Sequence, residues 1–262
     1  MGGLHRLTAV DLNLQNKVIV VTGGTDGLGR ALVRRLSSCG ALIATGGRNV
    51  SRREALAQEI PEALVYDVDL LQPAQRAAFA EAVIARYGHI DALVNNAGKS
   101  AASAVADSTD EEWREDYELK VIAASDLVRR FLPIFRDGGS ILNIAATKGK
   151  APSSGSTPTS ASRAAGLALT KALADELAPR GIRVNALVIG LIESGQWERR
   201  AAASGLTTQE FMEVAATAMK VPLGRFGRLD EFADVASFLL SERASYITGA
   251  ALNLDGGLSP VL

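Results

Sequence analysis

Apolar and polar positions change in blocks along this chain rather than residue by residue. A short β-branched run, Val18–Val21, is followed by Thr22-Gly-Gly-Thr-Asp-Gly-Leu-Gly29 and then by the helical-looking stretch Arg30–Leu36. Continuous apolar runs this short mark strands buried on both faces. The same succession recurs. Ala41–Gly46 reads as a second strand, Leu64–Tyr66 as a third, Asp91–Val94 as a fourth, Ser140–Ala145 as a fifth, Ile182–Ile189 as a sixth and Ala250–Leu254 as the last. Between them the pattern predicts helices over Ser51–Ile60, capped by Ser51 with Glu54 three residues on, and over Pro73–Tyr87, with proline in its favoured first turn. Two long helices follow, over about Asp110–Phe135 and over Thr159–Ala178, the second stopped by Pro179 and Gly181, and a shorter one spans Asp230–Leu240. Ala151–Pro158 reads as a loop, and residues 194–220 as a polar, helical insertion. Residues 1–16 form an extension with no firm pattern. Strands alternating with helices predict an α/β protein: one doubly wound domain over residues 17–262, a parallel sheet with helices on both faces, and a ligand at the carboxyl ends of the strands.

Composition narrows the chemistry. The chain has 262 residues, 47% hydrophobic and 22% charged, as expected of a globular protein with a substantial core. A net charge of −1 without a basic block argues against a nucleic-acid partner. Cys39 is the only cysteine, so there is no internal disulfide, and its place in the last turn of an apolar helix suits packing better than reactivity. No stretch reaches membrane-spanning length and the first residues lack a signal-peptide core, which predicts a cytoplasmic protein with no membrane partner. His5 and His89 stand away from the other candidate residues, and no metal-ligand spacing or nucleophile elbow is present.

The turn between the first strand and helix carries the clearest signal. Glycines at 23, 27 and 29 permit a tight turn, close approach of a ligand to the backbone, and close packing of the next helix. Free N–H groups at that helix's start suit a pyrophosphate. With Asp67–Val68, Asn95-Asn-Ala-Gly98, Arg183-Val-Asn185 with Gly190, and Thr248–Gly249 with Asp255-Gly-Gly257, this turn resembles the short-chain dehydrogenase/reductase family from about Lys17 to Leu258. The resemblance implies a Rossmann-type sheet of seven strands in the order 3-2-1-4-5-6-7, a nicotinamide dinucleotide, a small-molecule substrate and a homo-oligomer, dimer or tetramer. It places cofactor contacts at Gly23, Thr25, Asp26, Gly27, Leu28, Gly29, Asp67, Val68, Asn95, Ala97, Gly98, Arg163, Gly190, Ile192 and Ser194. Ile189–Gly190 stands where the family often has Pro-Gly, and Ser194 supplies the hydroxyl expected near the nicotinamide amide.

An acid just after the second strand would bond both ribose hydroxyls and repel a 2′-phosphate; that place holds Gly47, followed by Arg48. A guanidinium makes paired, charge-assisted bonds to phosphate, so Arg48 favours NADP(H) over NAD(H). Asp26 opposes that reading, since an acid in the turn repels phosphate.

The resemblance also implies a serine, a tyrosine, a lysine four residues after the tyrosine, and an asparagine on the preceding long helix. Here Ala146 stands at the serine's place, thirteen residues before Thr159 at the tyrosine's, with Arg163 at the lysine's and Lys120 at the asparagine's. Thr159 is a far weaker acid than a tuned phenol, and Arg163 can hold a ribose but cannot pass a proton. Lys120 is a candidate proton donor, because a lysine that is desolvated or beside another cation loses its proton more readily. The plainer expectation is that Lys120 snorkels towards solvent or a subunit contact. Lys148 and Lys150 read as solvated loop charges at the pocket mouth.

Three functions follow as expectations. The favoured one is NADP(H)-dependent reduction of a carbonyl or activated enone of a small organic molecule, with the proton drawn from Lys120, water or the substrate. A second is a catalytically silent NADP(H)-binding relative, acting as a sensor or partner subunit. A third is a non-redox isomerase or cyclase; a dehalogenase does not fit, because such relatives lose the glycine-rich turn.

Overall fold

The computed structural model describes residues 11–261. The first part of the extension, with His5, lies outside the described residues. Of the rest, Leu14 is buried in the core.

Seven parallel strands form one sheet in the order 3-2-1-4-5-6-7: β1 (Val18–Thr22), β2 (Leu42–Gly47), β3 (Leu64–Asp67), β4 (Ile90–Asn95), β5 (Phe135–Ala146), β6 (Arg183–Ile189) and β7 (Ala251–Leu254). The expected order is found. The apolar runs have no polar alternation because both faces are covered. Val18, Val20, Leu93, Ile141 and Val184 face one core, and Ile19, Val21, Val94, Leu142 and Leu187 the other. The first core is closed by α3 (Pro73–Tyr87), α5 (Ala123–Phe131) and α6 (Thr157–Leu177), through Phe79, Phe131 and Leu177. The second is closed by α1 (Gly27–Ser38), α2 (Val50–Glu59) and α9 (Leu229–Leu240), through Leu32, Leu36, Leu56 and Phe232. Partly buried Cys39 packs against this second core, as its position predicts.

Four expectations need correction. The cap of α2 is Asn49, whose side chain accepts from Arg52 N at 2.9 Å, and not Ser51; the chain turns two residues earlier, so Ser51 is already helical. The long helix expected over 110–135 is interrupted. It runs as α4 (Asp110–Tyr117), a π-helical segment (Glu118–Ile122), α5 and a 3-10 turn (Leu132–Ile134). A π segment inserts a residue into the helical ladder and shifts the faces presented beyond it. Strand β5 starts at Phe135 rather than Ser140, pairing Phe135 with Ile90 before a register shift to Ser140 with Ala92. Helix α6 begins at Thr157, with Pro158 in its first turn.

The 194–220 insertion forms α7 (Gly195–Ser204) and α8 (Thr208–Ala218). They enclose a small core of their own, where Trp197 meets the Phe226 ring edge-on at 5.1 Å and donates its indole N–H to Ile192 O at 2.8 Å.

Candidate functional site

The carboxyl ends of β1, β4, β5 and β6 converge on a cleft bordered by the glycine turn. Gly23 and Gly27 have φ of +67° and +50°, a region that favours glycine. A Cβ on Gly29 would stand 2.2 Å from Gly23 O. The turn is braced from both sides. Thr45 Oγ1 accepts from Gly24 N at 3.0 Å and donates to Val21 O at 2.6 Å. Thr22 Oγ1 accepts from Asn96 N at 2.9 Å and Ala97 N at 3.0 Å, while Asn96 Nδ2 donates to Thr22 O at 2.9 Å. Sequence reasoning chose Asn95, Ala97 and Gly98 from this motif and passed over Asn96, which ties the loop to the turn.

Unpartnered polar atoms gather around this cleft. Ser194 Oγ, Asn95 Oδ1 and Arg163 Nε are buried and bond nothing among the described residues. The Ser194 Cβ lies 4.0 Å from where a Cβ on Gly27 would stand, so the loop after β6 faces the glycine turn directly. A cleft walled by side-chain-free backbone and lined with unsatisfied donors and acceptors fits a polar, phosphate-bearing ligand such as a dinucleotide. Gly190 has a packing reason as well: a Cβ there would lie 2.7 Å from Asp255 Cβ. Ile192 is buried, and Leu28 packs against the second core. Val68 is buried too, its Cγ1 2.6 Å from where a Cβ on Gly46 would stand.

At the far end of the cleft three arginines meet three acids. Arg48 is largely exposed and lies 3.6 Å from Asp69. Arg52 pairs with Asp26 at 2.8 Å, and Arg53 with Asp67 at 2.8 Å. Thr25 Oγ1 stands 2.6 Å from where a Cβ on Gly47 would be, so a side chain at the place of a ribose-reading acid would crowd Thr25. Asp26, which counted against a 2′-phosphate, is thus neutralised by Arg52, a residue that the sequence did not single out.

The four aligned positions come together in part. Lys120 sits in the π segment and does not snorkel. Its side chain is 2% exposed, its counter-ion Asp116 1% exposed, and the ammonium donates to Asp116 Oδ1 at 2.5 Å, Asp116 Oδ2 at 2.7 Å and Thr159 Oγ1 at 2.5 Å. Ser162, on α6, donates to the same carboxylate at 2.5 Å. Burial, and then the nearby Arg163 charge, push the Lys120 amine down to about 8, against the pull of Asp116. Burial also lowers Arg163, to about 10, with Asp116 opposing, so it remains a cation at neutral pH. Its guanidinium lies under the loop after β4, Nη2 standing 3.0 Å from where a Cβ on Gly98 would be, and donates to Ile144 O. Ala146 ends β5 without a side-chain hydrogen bond to offer, and Thr147 after it is buried.

Behind these groups lies a cavity of about 30 Å³, lined by Lys120, Arg163, Asn95 and Asn143 and floored by Leu119, Ala123 and Leu127. That is room for one water, beside two unsatisfied partners. Lys150 is not a free loop charge: it donates to Ala251 O at 2.6 Å and Asn253 Oδ1 at 2.7 Å and ties the loop after β5 to β7. Lys148 bonds Ser153. Asp116 and Ser162 were missed; the only sequence signal was the four-residue spacing of Asp116 and Lys120. Among the described residues no cluster suits a metal ion, and no helix is long and apolar enough to cross a membrane.

The family model described as enoyl-(acyl carrier protein) reductase matches residues 23–259. A putative ketoacyl reductase of monensin polyketide synthase from Streptomyces virginiae is 37% identical over 93% of this chain and 97% of its own. An NADPH-bound short chain oxidoreductase from Pseudomonas aeruginosa PAO1, containing an atypical catalytic center, is 37% identical, covers 95% of this chain and 100% of that one, and superposes with a TM-score of 0.87. L-sorbose reductase from Gluconobacter frateurii, complexed with NADPH and L-sorbose, is 31% identical over 97% of this chain and 100% of that one, with a TM-score of 0.91. A sheet in the order 3-2-1-4-5-6-7, a braced glycine turn at its switch point and these matches over nearly the whole chain lead to one assignment: the protein belongs to the short-chain dehydrogenase/reductase family of NAD(P)-dependent oxidoreductases.

Proposed function

We propose that the protein is an NADP(H)-dependent reductase of a carbonyl or activated enone on a small organic molecule, with a proton source other than the family's tyrosine. The observation that carries this reading is the buried Lys120 ammonium bonded to the Thr159 hydroxyl, at the place the resemblance gives to the proton donor. Held near 8, the amine is protonated at neutral pH and gives up its proton readily, the property a general acid needs.

When bound, the dinucleotide supplies a hydride at its nicotinamide ring. The glycine turn, Thr25, Leu28, Asn95, Ala97, Gly98 and Val68 would line its path, with Ser194 at the nicotinamide amide and Arg163 at the adjoining ribose. Arg48, with Arg52 screening Asp26, would favour a 2′-phosphate. NADPH in both solved relatives supports the same preference. Helices α7 and α8 would cover the substrate. Exposed Tyr117, just before the π segment, and Ile122, at its end, suit assembly into a dimer or tetramer.

A second reading, a silent NADP(H)-binding relative, is favoured by one fact: all three ammonium N–H groups are engaged within the protein. Calorimetric titration with NADPH and NADH, followed by NADPH oxidation on a panel of small ketones, diones and enones, separates the two. Tight NADPH binding with turnover supports the reductase. Binding without turnover on any panel member leaves the silent relative, and no binding of either nucleotide sinks both.

A further inference from the structure

We propose that Thr159 is the group that gives a proton to the substrate oxygen, and that Lys120, clamped by Asp116 and Ser162, resupplies the proton through the same hydroxyl. The inference rests on the reductase reading and assigns Asp116 and Ser162 as positioning residues.

The hydrogen bonds of the cluster have one open end. Lys120 spends two N–H groups on the Asp116 carboxylate and the third on Thr159 Oγ1, and Ser162 spends its O–H on Asp116. Thr159 Oγ1 therefore accepts, and among the described residues no group receives its own hydrogen. A hydroxyl that accepts from a cation on one side and has a free O–H on the other is a relay element. Asp116 fixes the direction. With its carboxylate bonded twice by the ammonium and once by Ser162, the third N–H of Lys120 has only Thr159 to point at.

The weakness of an aliphatic alcohol as an acid applies to a stepwise transfer, which would leave a threonine alkoxide. In the relay both protons move together. The substrate carbon accepts a hydride from the reduced nicotinamide dinucleotide. A new O–H bond forms at the substrate oxygen as the Thr159 O–H breaks, and the Thr159 hydroxyl re-forms with a proton from Lys120. The products are the alcohol, the oxidised dinucleotide, an intact threonine and a neutral lysine amine beside the Asp116 carboxylate. Desolvation of the ammonium favours that release. Arg163 adds a fixed positive charge on the same side, which has the same effect.

The test uses the full-length protein, NADPH and 2,3-butanedione as the probe ketone, with Thr159→Val, Thr159→Ser and Asp116→Asn. Thr159→Val should bind NADPH with unchanged affinity in a fluorescence titration yet lose kcat by about 100-fold or more, whereas Thr159→Ser keeps most of it. Wild-type rates in mixtures of light and heavy water should follow a bowed curve, the mark of two protons in flight. In nitrogen-15 spectra of lysine-labelled free protein, Lys120 should appear as an ammonium shielded from solvent exchange, titrating at lower pH in Asp116→Asn because the carboxylate that retains its proton is gone. Wild-type turnover in Thr159→Val, or a straight isotope plot, overturns the relay and leaves the reductase standing. NADPH binding without oxidation by butanedione or any other ketone, dione or enone of the panel overturns the reductase reading and the relay with it. Should Asp116→Asn fail to fold, the threonine pair and the isotope plot still decide.

Discussion

Lys120→Met asks whether the ammonium is held under stress or simply fills space. Methionine has nearly the volume and length of the lysine stem, so the change opens little cavity and acts through charge. At neutral pH it leaves the Asp116 carboxylate, 1% exposed, with only the Ser162 hydroxyl for support. Removing one partner of a buried ion pair costs about 3–5 kcal/mol, so the variant should be less stable by that amount at pH 7. The pH dependence is more telling. The folded protein holds the Lys120 amine at about 8 against an ordinary 10.5. Between those values the unfolded chain binds a proton that the folded chain does not, so wild-type stability rises with pH across the window, by about 3 kcal/mol in all. Below about pH 8 both states are protonated and the contribution is flat. The methionine variant lacks this term. Urea unfolding of both proteins at pH 7, 8, 9 and 10 should therefore show the stability gap widening with pH. A gap that stays constant or narrows would refute a desolvated ammonium, and with it the case for Lys120 as a proton source. The double variant Asp116→Asn/Lys120→Met, which removes both charges, should recover most of the loss at pH 7.

Three further outcomes are expected. Gly29→Ala puts a methyl group 2.2 Å from Gly23 O and 2.5 Å from Asn96 Nδ2, so it should lose about 1–3 kcal/mol of stability and weaken NADPH binding in calorimetry; wild-type affinity would show that the turn does not hold the dinucleotide. Arg48→Ala removes a charge-assisted bond worth about 1.5–3 kcal/mol, so NADPH affinity should fall tenfold or more with NADH unaffected, while Asp26→Asn, by freeing Arg52, should raise it; equal effects on both nucleotides would move the phosphate contact elsewhere. Thr159→Tyr should be destabilising by about 1–3 kcal/mol in thermal unfolding, since its ring needs the space of the Lys120 ammonium 2.5 Å from Thr159 Oγ1, and Lys120→Asn should relieve that strain; additive effects of the two changes would deny the contact.

Much of the frame was legible because it rests on local rules. Val18–Val21, Asp91–Val94 and Ile182–Ile189 had to be strands buried on both faces, and the observed strands differ from the expected ones by a residue or two except at the start of β5. The cleft was legible for the same reason: glycines at 23, 27 and 29 announce backbone that no side chain permits. Part of what escaped was local, and part depended on partners distant in sequence. Asn49 rather than Ser51 caps α2; asparagine is a favoured cap in its own right, and the Glu54 spacing points to Ser51 instead. The break at Glu118–Ile122 is invisible in a stretch whose propensities favour continuous helix. The neutralisation of Asp26 by Arg52 needs the glycine turn and the first turn of α2 side by side.

The expectation that Lys120 snorkels fails, and the cause is instructive. A lysine on a polar helix face belongs in solvent unless something across the gap takes its charge and its hydrogen bonds. Asp116, four residues back, supplies the first in plain view of the sequence; Thr159 and Ser162, from another helix, supply the second. Lys120, Thr159 and Arg163 are then one linked group rather than three separate side chains. A tyrosine and a lysine four apart, as the resemblance implies, would put donor and cation on one face of α6. Here the acid–base pair four apart lies on the helix opposite, Asp116 with Lys120, and its cation reaches across to a hydroxyl small enough to leave it room. Arg163 donates to Ile144 O, and its charge pushes the Lys120 amine further down. The small Thr159 side chain leaves room for the Lys120 ammonium and accepts its hydrogen bond, so the two residues fit each other.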